Sequence, residues 1–246
     1  MRFARLPLVA LLAAAPLAAC SAHWSGGDDD GRPGIAPSGG GTERHYALKD
    51  FDRITLAASG DVQVRTGQAF GVSVTGASAD LDTLKVTQDG STVSLGRKPG
   101  HWGSTGDIHW TVTMPRLVGA TVGGSGSIAV DRVDGGSFNG DIGGSGDLSV
   151  KNMRVDKASF AIGGSGDVDV AGTARELSLS VGGSGKLRAR PLAAETASIS
   201  IAGAGDVEAT VHQHADINIV GSGDVSVTGG AKCSVTKLGG GDVTCG

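Results

Sequence analysis

Seven short glycine-rich elements recur along the chain, and five of them end in a carboxylate that could bind a cation or orient a polar ligand. They are Gly124-Ser125-Gly126-Ser127, Gly144-Ser145-Gly146-Asp147, Gly164-Ser165-Gly166-Asp167, Gly183-Ser184-Gly185-Lys186, Gly203-Ala204-Gly205-Asp206, Gly221-Ser222-Gly223-Asp224 and Gly239-Gly240-Gly241-Asp242. If the elements stack, Asp147 lies ~4.8 Å from Asp167, and Asp206, Asp224 and Asp242 form a second run beyond Lys186. Two solvated carboxylates at that spacing repel by about 0.9 kcal/mol, little enough for a divalent cation to offset. The competing expectation is structural, because Asp after Gly accepts N–H groups of its turn. A nonapeptide calcium roll fits poorly: its period is half of this one, and its Asp does not follow the glycine directly. The column is therefore a candidate ligand-facing surface, with no metal or cofactor expected.

Other reactive types are sparse. His101, Trp102, His109 and Trp110 cluster around a loop over 100–106, where Trp102 is the candidate ligand contact and Trp110 alternates with Val112 as a core strand would. His212 and His214 lie two apart without a third metal ligand in view. No nucleophile beside a base, no paired carboxylates on an aromatic groove and no phosphate loop occur, so no catalytic residue is assigned. A β-helix enzyme acting on polysaccharide is the rival reading, since fold does not decide function. A cleft lined by several acids and an Arg would favour that rival. Uniformly shallow faces would favour a binding module, or a structural envelope protein assembling through its ends.

The elements that must position these residues follow from spacing. The last residues of the seven motifs stand at 127, 147, 167, 186, 206, 224 and 242, steps of 20, 20, 19, 20, 18 and 18. Apolar residues alternate on both sides of each motif, the period of half-buried strands. Five residues before the motif's end stand Val122, Ile142, Ile162, Val181, Ile201 and Ile219 in turn. A hairpin meander would alternate too, but only stacked coils require a constant length. The fold class expected is all-β, a right-handed parallel β-helix with coils of about 18–20 residues and Gly-Ser-Gly-Asp corners. Glycine at the corners would permit positive φ, and Val133, Met153 and Leu192 would plug a third side. Outward slots carry Asn139, Asp141, Ser159, Ser178, Ser180, Ser198, Ser200, Asp216, Asn218, Ser234 and Thr236, flat ladders that suit a glycan or a protein surface.

Residues 1–19 read as a signal segment, with Arg2 and Arg5 ahead of an apolar run too short to span a membrane comfortably. The run closes on Leu17-Ala18-Ala19-Cys20, which resembles the lipobox of bacterial lipoproteins and makes Cys20 the lipidated N-terminus. Two or three acyl chains there would hold the chain to a membrane. Ser21 in place of Asp favours the outer membrane of the cell envelope. Residues 20–44, with Asp28-Asp29-Asp30 and Gly39-Gly40-Gly41, read as a flexible tether. The domain then covers 45–246, less regular over 45–117 and regular over 118–246. Removing Arg2 and Arg5 from 21 basic residues against 25 acidic ones leaves 19 − 25 = −6, which disfavours nucleic acid as partner. Cys233 and Cys245 remain as a pair, at slots where other coils hold inward residues such as Leu177 and Val150. A disulfide there would close the last coil and stabilise it by roughly 3 kcal/mol, two buried thiols being the alternative.

Phe51-Asp52-Arg53-Ile54, Gly60-Asp61-Val62-Gln63-Val64 and the run Ile108-His109-Trp110-Thr111-Val112-Thr113-Met114-Pro115-Arg116-Leu117 add a second layer of pattern. With the glycine corners that follow, the chain from Tyr46 to Gly246 resembles the head GIN domain family of bacterial auto-transporter adhesins. The resemblance implies a binding or scaffold role on the envelope and brings no active-site residues.

Overall fold

A computed structural model describes residues 32–101 and 107–246. Cys20, the acidic triplet Asp28-Asp29-Asp30 and Trp102 lie outside the described residues. Eight short strands and one helical turn make up the N-terminal part: β1 (Glu43–Tyr46), β2 (Arg53–Leu56), β3 (Asp61–Thr66), β4 (Gly71–Thr75), α1 (Ser78–Leu81), β5 (Leu84–Asp89), β6 (Thr92–Arg97), β7 (His109–Met114) and β8 (Gly119–Val122). The regular coils follow as β9 (Ser127–Val130), β10 (Val133–Ile142), β11 (Asp147–Ile162), β12 (Val168–Val181), β13 (Lys186–Gly203), β14 (Asp206–Gly221), β15 (Val225–Thr228), β16 (Lys232–Gly239) and β17 (Val243–Cys245).

From β8 onward the pairing is parallel and each coil stacks on the last, which makes the protein a β-solenoid. The aliphatic ladder anticipated from spacing is the stacked core: Val122, Ile142, Ile162, Val181, Ile201 and Ile219 pair in succession and are all buried. A second inward ladder runs Ile128, Leu148, Val168, Leu187, Val207, Val225 beyond the corners. The long strands bend onto the third side where their register slips, between Val150 and Met153 and at matching places in later coils. Val133, Met153 and Leu192 are buried there, in a column that Gly172 completes. Core volume is shared between neighbouring coils: Gly140 stacks beside Phe160, and a Cβ on Gly140 would sit 2.7 Å from that ring.

The corner glycines are needed for a different reason from the one expected. Of the fourteen glycines that open and close the seven motifs' Gly-x-Gly, only Gly221 and Gly239 have positive φ. At most of the others a Cβ would run into the carbonyl of the coil before: Gly144 into Gly124, Gly164 into Gly144, Gly146 into Gly126 and Gly166 into Gly146. Corners stacked at strand spacing leave no room for a side chain pointing along the axis.

The segment 67–118 makes the N-terminal cap. β2 and β3 stack directly on β8 and β9, and the intervening chain turns back so that β6 and β7 form a coil on the opposite side of β2 and β3. β5 then covers β6, and β4 covers β7, both antiparallel. Leu81 of α1, Leu84 and Trp110 are buried beneath this cap, with the Trp110 ring 6.0 Å from that of Tyr46. Residues inside the stretch read as tether make contacts with the domain: Arg32 pairs with Asp89 at 2.7 Å, the Ile35 N–H donates to Val86, and Ser38 bridges to His45. No described helix is long and apolar enough to cross a membrane.

Candidate functional site

The aspartate slots do stack, and Asp61 of β3 heads the column. Ser127 lies between Asp61 and Asp147 and donates its hydroxyl to Asp61 at 2.6 Å. Each following carboxylate accepts the backbone N–H of the residue one coil on: Asp147 from Asp167 at 3.0 Å, Asp167 from Lys186 at 2.9 Å, Asp206 from Asp224 at 3.4 Å, and Asp224 from Asp242 at 2.8 Å. The turn donors are thus satisfied across coils rather than within one turn. Lys186 interrupts the column and pairs with Asp206 at 3.1 Å, while Arg188 bridges Asp167 at 2.9 Å and Asp169 at 3.3 Å. Hydrogen bonding to Asp167 raises the Arg188 pKa further above its ordinary value. The carboxylates of Asp147, Asp167, Asp206 and Asp224 are engaged by backbone N–H groups or cations of their own chain, and no three His, Cys, Asp or Glu side chains among the described residues come together as a metal site. Millimolar calcium is therefore expected to leave the melting temperature unchanged, in wild type and in Asp206→Asn alike. A calcium-dependent rise that Asp206→Asn abolishes would assign the column a cation.

The broad face before the corners is the second candidate. Asn139, Ser159, Ser178, Ser198, Asp216 and Ser234 form one ladder across it, and Asp141, Ala161, Ser180, Ser200, Asn218 and Thr236 form the next. Both continue through Gly119 and Thr121 to Arg53 and Thr55, then to Thr92 and Ser94. Nine strands at ~4.8 Å make a face about 38 Å long. One notch interrupts it: Gly119 leaves room for the Arg53 guanidinium, whose Nη1 lies 2.9 Å from where a Cβ would stand. Burial pushes the Asp141 carboxyl above the ordinary range, and the nearby Arg53 pulls it back. Spacing alone could not bring Arg53 to Asp141. The signal was Ser59-Gly60-Asp61, a corner separated from its neighbour by the whole 67–118 excursion.

Two shallow hollows lie elsewhere on the described surface. One, of about 460 Å³, lies on the third side among Asp134, Arg154, Asp156, Thr173, Arg175 and Glu195. Its residue types are those that would favour an enzyme. However, Asp156 and Arg175 pair with each other at 3.5 Å with side chains 65% and 72% exposed, so water screens the groups that catalysis would need desolvated. The other, of about 500 Å³, lies at the N-terminal cap among Ile35, Tyr46, Leu81, Leu84, Lys85 and Lys98. His212 and His214 are engaged separately, with the Gly229 carbonyl at 3.1 Å and Asp216 at 3.0 Å. Cys233 and Cys245 are joined, their Cα atoms 6.5 Å apart. They occupy inward slots over Ala215 and Val227, but no strand pairs beyond them among the described residues, and both stay partly in contact with solvent.

A long polar face on a stack of parallel coils defines the class: a β-solenoid. The family model described as "Putative auto-transporter adhesin, head GIN domain" matches residues 50–231, and the chain belongs to that family. Solved structures of the same fold include a protein of Bacteroides fragilis described as a putative adhesin, 23% identical with a TM-score of 0.77 over 85% of this chain and 99% of that one. Another, from Parabacteroides distasonis and described as a putative lipid binding protein, is 24% identical with a TM-score of 0.65 over 82% and 96% of the two chains. A third, a putative adhesin of Parabacteroides merdae, is 16% identical with a TM-score of 0.65 over 82% and 95%. Among curated proteins there is no match.

Proposed function

We propose that the protein is a non-catalytic lipoprotein of the cell envelope, held to the outer membrane by acyl chains on Cys20, which presents its polar ladder face to a glycan or protein surface. The observation that carries the binding role is the face itself: two columns of mostly small polar side chains at strand spacing, interrupted at the Gly119–Arg53 notch, wide enough for a regular polymer and too flat for a small substrate. Membership in an adhesin-type family supports a surface ligand, and with it an envelope location.

A flat face binds through many weak polar contacts, so a protruding charge in its middle should disrupt docking without disturbing the core. Ser178→Arg and Ser198→Arg are therefore expected to keep the wild-type melting temperature and to lose binding to isolated cell envelopes at least tenfold. Anchoring is tested separately. Each methylene in the bilayer contributes about 0.8 kcal/mol, and two or three chains make the attachment effectively permanent. Cys20→Ser should move the protein from the membrane fraction to the soluble one; its recovery in membranes after a high-salt wash would contradict the anchor.

A further inference from the structure

The core ladder that begins at Leu95 and Leu56 continues through Val122, Ile142, Ile162, Val181, Ile201 and Ile219, and then ends on Lys237. Every earlier rung is aliphatic and buried. Lys237 occupies the inward slot of β16, where the ladder would take another Ile, and turns its Nζ back to donate to the Gly241 carbonyl at 2.6 Å.

Its surroundings are those of an end that could grow. β16 pairs with β14 on one side, β17 with β15 on one side, and neither has a strand beyond it among the described residues. Among the described residues the exposed large hydrophobic ones are Val220, Val235 and Leu238, at 58%, 46% and 69%, all at this end. Val235 stacks on the buried Ile217 and would itself be buried by one more strand. The opposite end is closed by β5, β4 and α1, so head-to-tail stacking of copies has no free parallel edge to use. The partner that this edge invites is the same edge of a second copy, meeting it about a two-fold axis.

We propose that Lys237 guards the C-terminal edge against such pairing, and that the protein stays a single-copy rod because of it. A strand laid over β16 would enclose the Lys237 ammonium in an aliphatic core without a carboxylate beside it. Lys232 at the start of the same strand adds a second positive charge that a like copy would have to meet. An inward-pointing lysine is one of the ways in which edge strands are protected from edge-to-edge association. Lys237→Ile would restore the aliphatic rung and remove the guard.

The test uses the full chain in the Cys20→Ser form, so that membrane attachment plays no part in the result. Light scattering should give a monomer mass for the parent and for Lys237→Glu at every concentration up to the millimolar range. Lys237→Ile should at least double in mass, and adding Val235→Glu to it should return the monomer. Circular dichroism shows whether each variant is folded, and Lys237→Met takes the place of Lys237→Ile if that one is not. A folded Lys237→Ile or Lys237→Met that stays monomeric would overturn the proposal. So would a parent that already dimerises, a Lys237→Glu that associates, or an association that survives Val235→Glu.

Discussion

Replacing Gly166 with Ala is expected to destabilise the domain by about 3 kcal/mol or more, at the upper end of what overpacking costs. The added Cβ would be driven into the carbonyl oxygen of Gly146 and against Ile142 Cγ2 at 3.0 Å. Backbone cannot yield there as a flexible side chain would, because the Gly146 corner is itself stacked on Gly126. Relief requires the coils to part, and parting them weakens the ladder hydrogen bonds on both sides of the corner. For a domain of this size, 3 kcal/mol lowers the melting temperature by roughly 6–12 °C. Gly136→Ala is the control, since nothing lies within 4 Å of its Cβ. That variant should match wild type or gain slightly from a less flexible unfolded chain. Equal losses at Gly166 and Gly136 would mean that the corners are not in contact across coils.

The second large effect is at Ile162, which is 1% exposed between Ile142 and Val181. Ile162→Asp forfeits about 1.5–3 kcal/mol of apolar burial and adds the cost of enclosing a carboxyl without a partner. A total of about 4 kcal/mol or more is expected. Ser159→Asp, three residues earlier on the outward ladder between Asn139 and Ser178, should change stability by no more than about 0.5 kcal/mol. Because side chains alternate between faces, a register wrong by one residue would exchange these two results. Thermal melts of the two variants side by side decide it.

The regular half of the molecule was legible in the sequence because a stacked ladder leaves a trace at fixed spacing. Ile142, Ile162, Val181 and Ile201 stand at one slot since each lies against the next. The role of the corner glycines was misread, because a single corner considered alone suggests a tight bend, whereas the constraint comes from the neighbouring coil. The 67–118 excursion was opaque for a similar reason. β6 and β7 stack in parallel on the far side of β2 and β3, β4 and β5 cover them antiparallel, and no local period records that Arg53 lies near enough to Asp141 to act on its charge. Asp61 was visible as part of a family motif but not as the head of the carboxylate column, since its partner Ser127 lies on the other side of that excursion. Lys237 breaks the aliphatic pattern plainly, yet its meaning depends on no described strand pairing beyond β16, which alternation does not reveal.

The reading of this solenoid as a binding module is tested most directly by incubating the soluble Cys20→Ser chain with isolated cell envelopes, which present glycans and proteins together. Bound protein and sugar released into the supernatant are then measured in the same tubes. The account predicts saturable binding that falls at least tenfold in Ser178→Arg and Ser198→Arg, with no soluble oligosaccharide above the blank at any protein concentration. Release of oligosaccharide that grows with time and protein, or binding indifferent to both face variants, would contradict it.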